Sequence, residues 1–150
     1  MKLFFGIICC LICTVFGVAL SDKFVKRNKF FKDFLNFNKK LISEISFGQK
    51  KLSDIMKDFS HEGDFKKAIS EFRPDTVLPK YLKEEEKSLF IDYVNGVGKK
   101  DKDTQLKELA EMNVKLTELS VQAEKDLKKY KPLYIKLGFL TGLAILIMVM

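Results

Sequence analysis

The sequence has no tryptophan, one histidine and three prolines, and its three cysteines, Cys9, Cys10 and Cys13, share one apolar run near the start. Each scarcity removes a class of function. Catalysis needs side chains whose protonation or nucleophilicity can be tuned. The lone His61 stands in Ser60-His61-Glu62-Gly63-Asp64, without the second histidine of a zinc-protease helix. That segment reads as a solvated turn. Thiolates are disfavoured in an apolar helix, so the cysteines read as small packing residues rather than nucleophiles or a disulfide framework. Gly96 and Gly98 fall far short of a phosphate loop, and no G-x-x-x-x-G-K-[ST] is present. The expectation is a non-enzymatic chain with no catalytic residue, no cofactor and no metal. At 150 residues there is no room for a large multidomain enzyme.

Charge is also missing from two stretches, residues 3–20 and 137–150. All 20 acids and 26 of the 27 bases therefore lie within residues 21–136. An ordinary soluble domain does not begin and end with unbroken apolar runs. Leu3–Leu20 would make a helix about 27 Å long at ~1.5 Å per residue, close to the ~30 Å hydrocarbon core of a bilayer. Leu137–Met150 is shorter, but extension back to Leu133 gives a second span. That extension includes Lys136, which can snorkel to the headgroups. The expected organisation is a transmembrane helix over 1–20, a helical domain over 21–132 and a transmembrane helix over 133–150. Gly17-Val18-Ala19 also resembles a leader-peptide cleavage site, which leaves an exported, tail-anchored protein as an alternative.

Orientation follows from charge. Residues 21–40 hold seven bases against two acids, and residues 121–136 hold five against two. Bases flanking membrane helices favour the cytoplasmic face, so the central domain is expected in the cytoplasm with both termini across the membrane. Elsewhere acids and bases interleave, as in Lys83-Glu84-Glu85-Glu86-Lys87. That is how solvated helix faces look, so the net charge of +7 does not point to nucleic acid. The surplus lies where it can meet anionic membrane lipid.

Small residues recur along both apolar runs. Gly6, Cys10, Cys13 and Gly17 share one helix face, and Gly138 and Gly142 form a G-x-x-x-G pair. Small residues let helix backbones approach closely in lipid, so these faces are candidates for packing on each other or on partner helices.

The middle reads as all-α: a helical bundle with a long C-terminal helix. Phe31, Phe34, Leu41 and Ile45 share a face of a helix over about 22–47, with Gly48 as its stop. Leu52, Ile55, Met56 and Phe59 suggest a second helix. Phe65, Ala68, Ile69 and Phe72 suggest a short third, closed by Pro74. Pro79 is expected to open the next helix at its first turn. Phe30 and Phe37 are expected inside the bundle, with a surface covering a neighbour as the alternative. Asp101 or Asp103 should cap the long helix. Its stripe runs Leu109, Met112, Leu116, Leu119, Ala123, Leu127, Tyr130, Tyr134, Leu137, a coiled-coil-like seam. Pro132 should kink it near the membrane surface.

Three stretches carry a resemblance: Leu41-Ile42-Ser43-Glu44-Ile45-Ser46-Phe47-Gly48 with Leu52, the turn Val97-Gly98-Lys99-Lys100-Asp101 with Gln105, and Tyr134 to Leu143 with Leu137, Gly138 and Gly142. Together they resemble the stage III sporulation protein AB family. The family usually has Leu where Val97 stands, and the Gly63–Pro79 loop is short for it. The resemblance implies packing and turn roles for Gly48, Gly98, Asp101 and Gln105, and no catalytic residue. It implies a subunit of a membrane complex forming a channel between mother cell and forespore. It further implies a cytoplasmic domain similar to the inner-membrane platform proteins of type II secretion and type IV pilus systems. The implied partners are the complex's ATPase, stage III sporulation protein AA, and its other membrane subunits. Oligomeric state stays open, and a generic membrane-anchored coiled-coil scaffold remains the second reading.

Overall fold

In the computed structural model the described residues are 2–47, 54–55, 63–70 and 78–149, without the side chains at 2–6, 9, 70 and 149. Four helices are described: α1 Lys2–Phe47, α2 Asp64–Ser70, α3 Glu84–Gly96 and α4 Lys102–Val149. Asp54 and Ile55 are also helical, and no strand occurs among the described residues. The all-α expectation with a long C-terminal helix holds. The chain divides into two compact units, one of residues 1–28 with 122–150, the other of residues 29–121.

The second unit is built on phenylalanine. Phe30, Phe31, Phe34, Phe37 and Leu41 of α1, Phe65 of α2 and Phe90 of α3 are all buried. Phe30, Phe34, Phe37 and Leu41 recur along α1 at four- and three-residue intervals, so a helix stacks them on one side. The Phe34 ring lies 5.3 Å from Phe65, 5.5 Å from Phe90 and 4.9 Å from Tyr93, mostly edge to face. Phe30 and Phe37 are 2% and 1% exposed, so the interior reading is the one the structure bears out. α4 adds Leu109 and Leu116, both buried.

Asn38 is a polar member of this core with no exposed surface. Its Nδ2 donates to the Leu109 carbonyl at 3.0 Å, and its Oδ1 accepts from the Tyr93 hydroxyl at 3.0 Å. One amide thereby ties α1 to α3 and α4. Burial pushes the Tyr93 phenol well above its ordinary range, so it stays a donor. Removing one partner strands the other, which costs about 1–3 kcal/mol. Tyr93→Phe and Asn38→Leu should each destabilise by that order, and the double variant by less than their sum. A double-mutant cycle in denaturant unfolding reads the coupling.

The turns differ from expectation in one place. Pro79 opens a turn, not a helix: the Leu82 N–H donates to its carbonyl at 3.1 Å, and α3 begins only at Glu84. The Lys83 N–H donates to the Glu86 carboxylate at 3.0 Å, and Glu84, Glu85 and Glu86 fill the first turn. Negative charge there complements the exposed N–H groups of the helix start, a local preference strong enough to delay the start past the proline. Before α3, the Tyr81 hydroxyl donates to Asp64 Oδ2 at 2.8 Å. Burial, then that carboxylate, push the Tyr81 phenol up.

α3 ends where the Val97 N–H donates to the Tyr93 carbonyl at 3.0 Å, and Gly98 takes φ 84°, a conformation side chains resist. Asp101 then caps α4: the Thr104 N–H donates to its Oδ2 at 3.1 Å, and the Gln105 N–H to its carbonyl at 2.9 Å. The Thr104 amide holds the Asp101 carboxyl below its ordinary 3.8. A lowered carboxyl pKa adds stability that is present above 3.8 and lost as pH falls through the lowered value. Hydrogen exchange at the Thr104 amide should therefore lose protection in acid, and Asp101→Asn should remove that pH dependence.

Candidate functional site

The unit of residues 1–28 and 122–150 is an antiparallel pair of helix segments, and its packing is inside out for a water-soluble protein. Gly17, Ser21 and Gly142 are buried in it, while Leu11, Ile12, Val15, Phe16, Leu137, Phe139, Leu140 and Ile147 are exposed. In water the large apolar groups would gain by burial. Lipid removes that drive, and association rests on close packing of small residues.

The small residues meet. A Cβ on Gly138 would lie 2.7 Å from the Cys13 carbonyl oxygen, and one on Gly17 would lie 2.6 Å from the Tyr134 carbonyl oxygen. The two glycine backbones face each other, with the Gly138 Cα 3.3 Å from the Gly17 Cβ position. A Cβ on Gly142 would lie 2.8 Å from the Cys10 Cα. At Gly17 and Gly138 the missing Cβ thus lets the backbone of one helix approach a carbonyl oxygen of the other. Cys10 and Cys13 are half-buried free thiols. The Gly6 side of the face lies outside the described side chains, as Gly48 and His61 lie outside the described residues.

The α4 stripe changes character along its length. Leu109, Leu116 and Ala123 are buried, and Tyr130 and Tyr134 half-buried, but Leu137 points outward while Gly138 and Gly142 turn inward. The coiled-coil seam of large residues thus gives way to a small-residue seam within one helix. Pro132 lies inside α4, which continues through it.

Further along the pair, Phe24 stacks on Tyr130 at 5.1 Å and lies 5.8 Å from Tyr134. The Arg27 guanidinium is nearly buried and pairs with Asp126 at 2.8 Å. Nothing in the residue pattern announces this pair. Among the described residues one helix, Lys102–Met148, is long and apolar enough to cross a membrane.

In the other unit, the turn residues Val97 and Gln105 line an open groove between α3 and α4. Tyr93, Leu109 and Met112 form its apolar part, and Asp92, Glu108 and Glu111 stand on its rim with Lys115. Glu108 is paired with Lys100. The described residues contain no cluster of metal-ligating side chains.

These features define a class: an all-helical protein whose first and last helix segments pair through glycine, with apolar residues turned outward. A family model described as Stage III sporulation protein AB matches residues 62–150. The chain belongs to the stage III sporulation protein AB family and is a sporulation-related protein. No curated protein and no solved structure matches it.

Proposed function

We propose that the chain is a non-enzymatic, two-pass membrane subunit of the sporulation channel complex, and that its helical domain is a cytoplasmic platform for the complex's ATPase. The inverted packing of the glycine pair carries the membrane part of this reading. A pair with its small residues inside and its leucines and isoleucines outside is stable in lipid and costly in water. The two apolar runs lie side by side and antiparallel, an arrangement compatible with two passes. The basic surplus at 21–40 and 121–136 favours a cytoplasmic location for everything between.

The groove between α3 and α4 supports the docking part. An apolar floor with Asp92 and Glu111 on the rim suits a partner segment that carries an apolar anchor beside basic residues. Pull-down of the ATPase by the full chain in detergent tests this. Asp92→Lys with Glu111→Lys should weaken capture at least about tenfold, an effect of the size expected for like charges brought together. Lys102→Ala on the exposed start of α4 should leave capture unchanged. Undiminished capture by the double variant would move the docking surface elsewhere, and no capture by the unaltered chain would remove the ATPase from the reading.

A further inference from the structure

We infer that the hairpin binds anionic phospholipid headgroups through Lys23 and Lys129, each held against the Phe24–Tyr130–Tyr134 cluster. The inference rests on the membrane-spanning reading above and assigns a ligand to one place on it.

The charges of this unit are unequally matched. Its acids are Asp22, Glu124 and Asp126. Asp22 pairs with Lys26 at 2.8 Å, Glu124 with Lys128 at 2.8 Å and Asp126 with Arg27 at 2.8 Å. Each acid is thus engaged by a base. Lys23, Lys125, Lys129, Lys131 and Lys136 stand on the same stretches and exceed what those acids can neutralise. The surplus is therefore a property of the folded pair and not only of the composition.

Two of these lysines are held against aromatic faces. The Lys23 ammonium lies 5.1 Å from the centroid of Phe24 and 5.5 Å from that of Tyr134. The Lys129 ammonium lies 5.3 Å from the centroid of Tyr130. Attraction to the ring face positions an ammonium without consuming its charge, and its protons stay available to an anion. Phe24 and Tyr130 stack, so both lysines stand against one aromatic cluster. Tyrosine rings beside lysines are what the level of the headgroups favours, and Leu20 and Leu133, the outward apolar residues just before and after, mark that level in sequence. A phosphodiester with net negative charge meets ammonium groups there. A zwitterionic headgroup brings its own cation and gains less.

The test uses the full chain reconstituted in phosphatidylcholine bilayers with trace spin-labelled phosphatidylglycerol or spin-labelled phosphatidylcholine. The motionally restricted fraction of each label gives their relative association with the protein. The expected preference for phosphatidylglycerol is on the order of fivefold, from the attraction of one or two surface lysines. It should fall to near equality in Lys23→Gln/Lys129→Gln and stay unchanged in Lys99→Gln/Lys102→Gln, with circular dichroism confirming unchanged helix. Equal association with the unaltered chain, or a preference retained by the first double variant, overturns the site while the membrane reading stands. Absence of any restricted lipid overturns the membrane reading and the site together.

Discussion

Gly138→Leu is expected to separate the two helices of the hairpin. The leucine Cβ would start 2.7 Å from the Cys13 carbonyl oxygen, a backbone atom that no rotamer change can move aside. Even alanine there demands a shift, and leucine adds three further carbons to the same space. Overpacking of this kind costs about 1–3 kcal/mol where side chains can yield, so a backbone obstacle puts the expectation at the upper end. The helix axes should move toward the ~8–10 Å separation of ordinary helix packing. Distances between spin labels at Leu20 and Leu133 in the reconstituted chain read this directly. Gly142→Leu should act in the same direction against Cys10, whereas Leu140→Ala on the outward face should leave the distance unchanged.

Phe34→Ala should do comparable damage in the other unit. Its ring is fully buried and touches rings from α1, α2 and α3. Removing a buried phenylalanine ring costs about 3–5 kcal/mol, against a total of roughly 5–15 kcal/mol for a typical domain. The edge-to-face contacts add about 0.5–1.5 kcal/mol each to what area alone predicts. Denaturant unfolding of the full chain in micelles should show a large fall in midpoint. Phe34→Leu should recover much of it, because volume rather than aromaticity carries most of the loss.

The sequence made these two sites visible for different reasons. The phenylalanines recur at helical spacing, so periodicity alone put Phe31 and Phe34 on a buried face. The glycines and cysteines recur at the same spacing within apolar runs, which marked a close-packing face without naming its partner. Partner identity needs the register of one helix against the other. That is why Cys13 against Gly138 and the Arg27–Asp126 pair, 99 residues apart, were out of reach. Asn38 was missed because a polar residue among phenylalanines reads as an exposed position until Tyr93 and the Leu109 carbonyl arrive from two other helices. The switch at Leu137 was missed because the stripe of large residues continues in period while the preferred interior changes from large to small. Pro79 illustrates the remaining limit. A proline fits a helix first turn and a tight turn equally well, and the preference of the acids at 84–86 for a helix first turn is what decides between them.

The proposed topology has the chain crossing the membrane twice, with the residues between the two runs in the cytoplasm. It is tested most directly by maleimide labelling of Lys102→Cys in a Cys9→Ala/Cys10→Ala/Cys13→Ala background. A membrane-impermeant maleimide should leave this cysteine unlabelled in intact cells and label it once the membrane is opened. Labelling in intact cells would place the helical domain outside and overturn that topology.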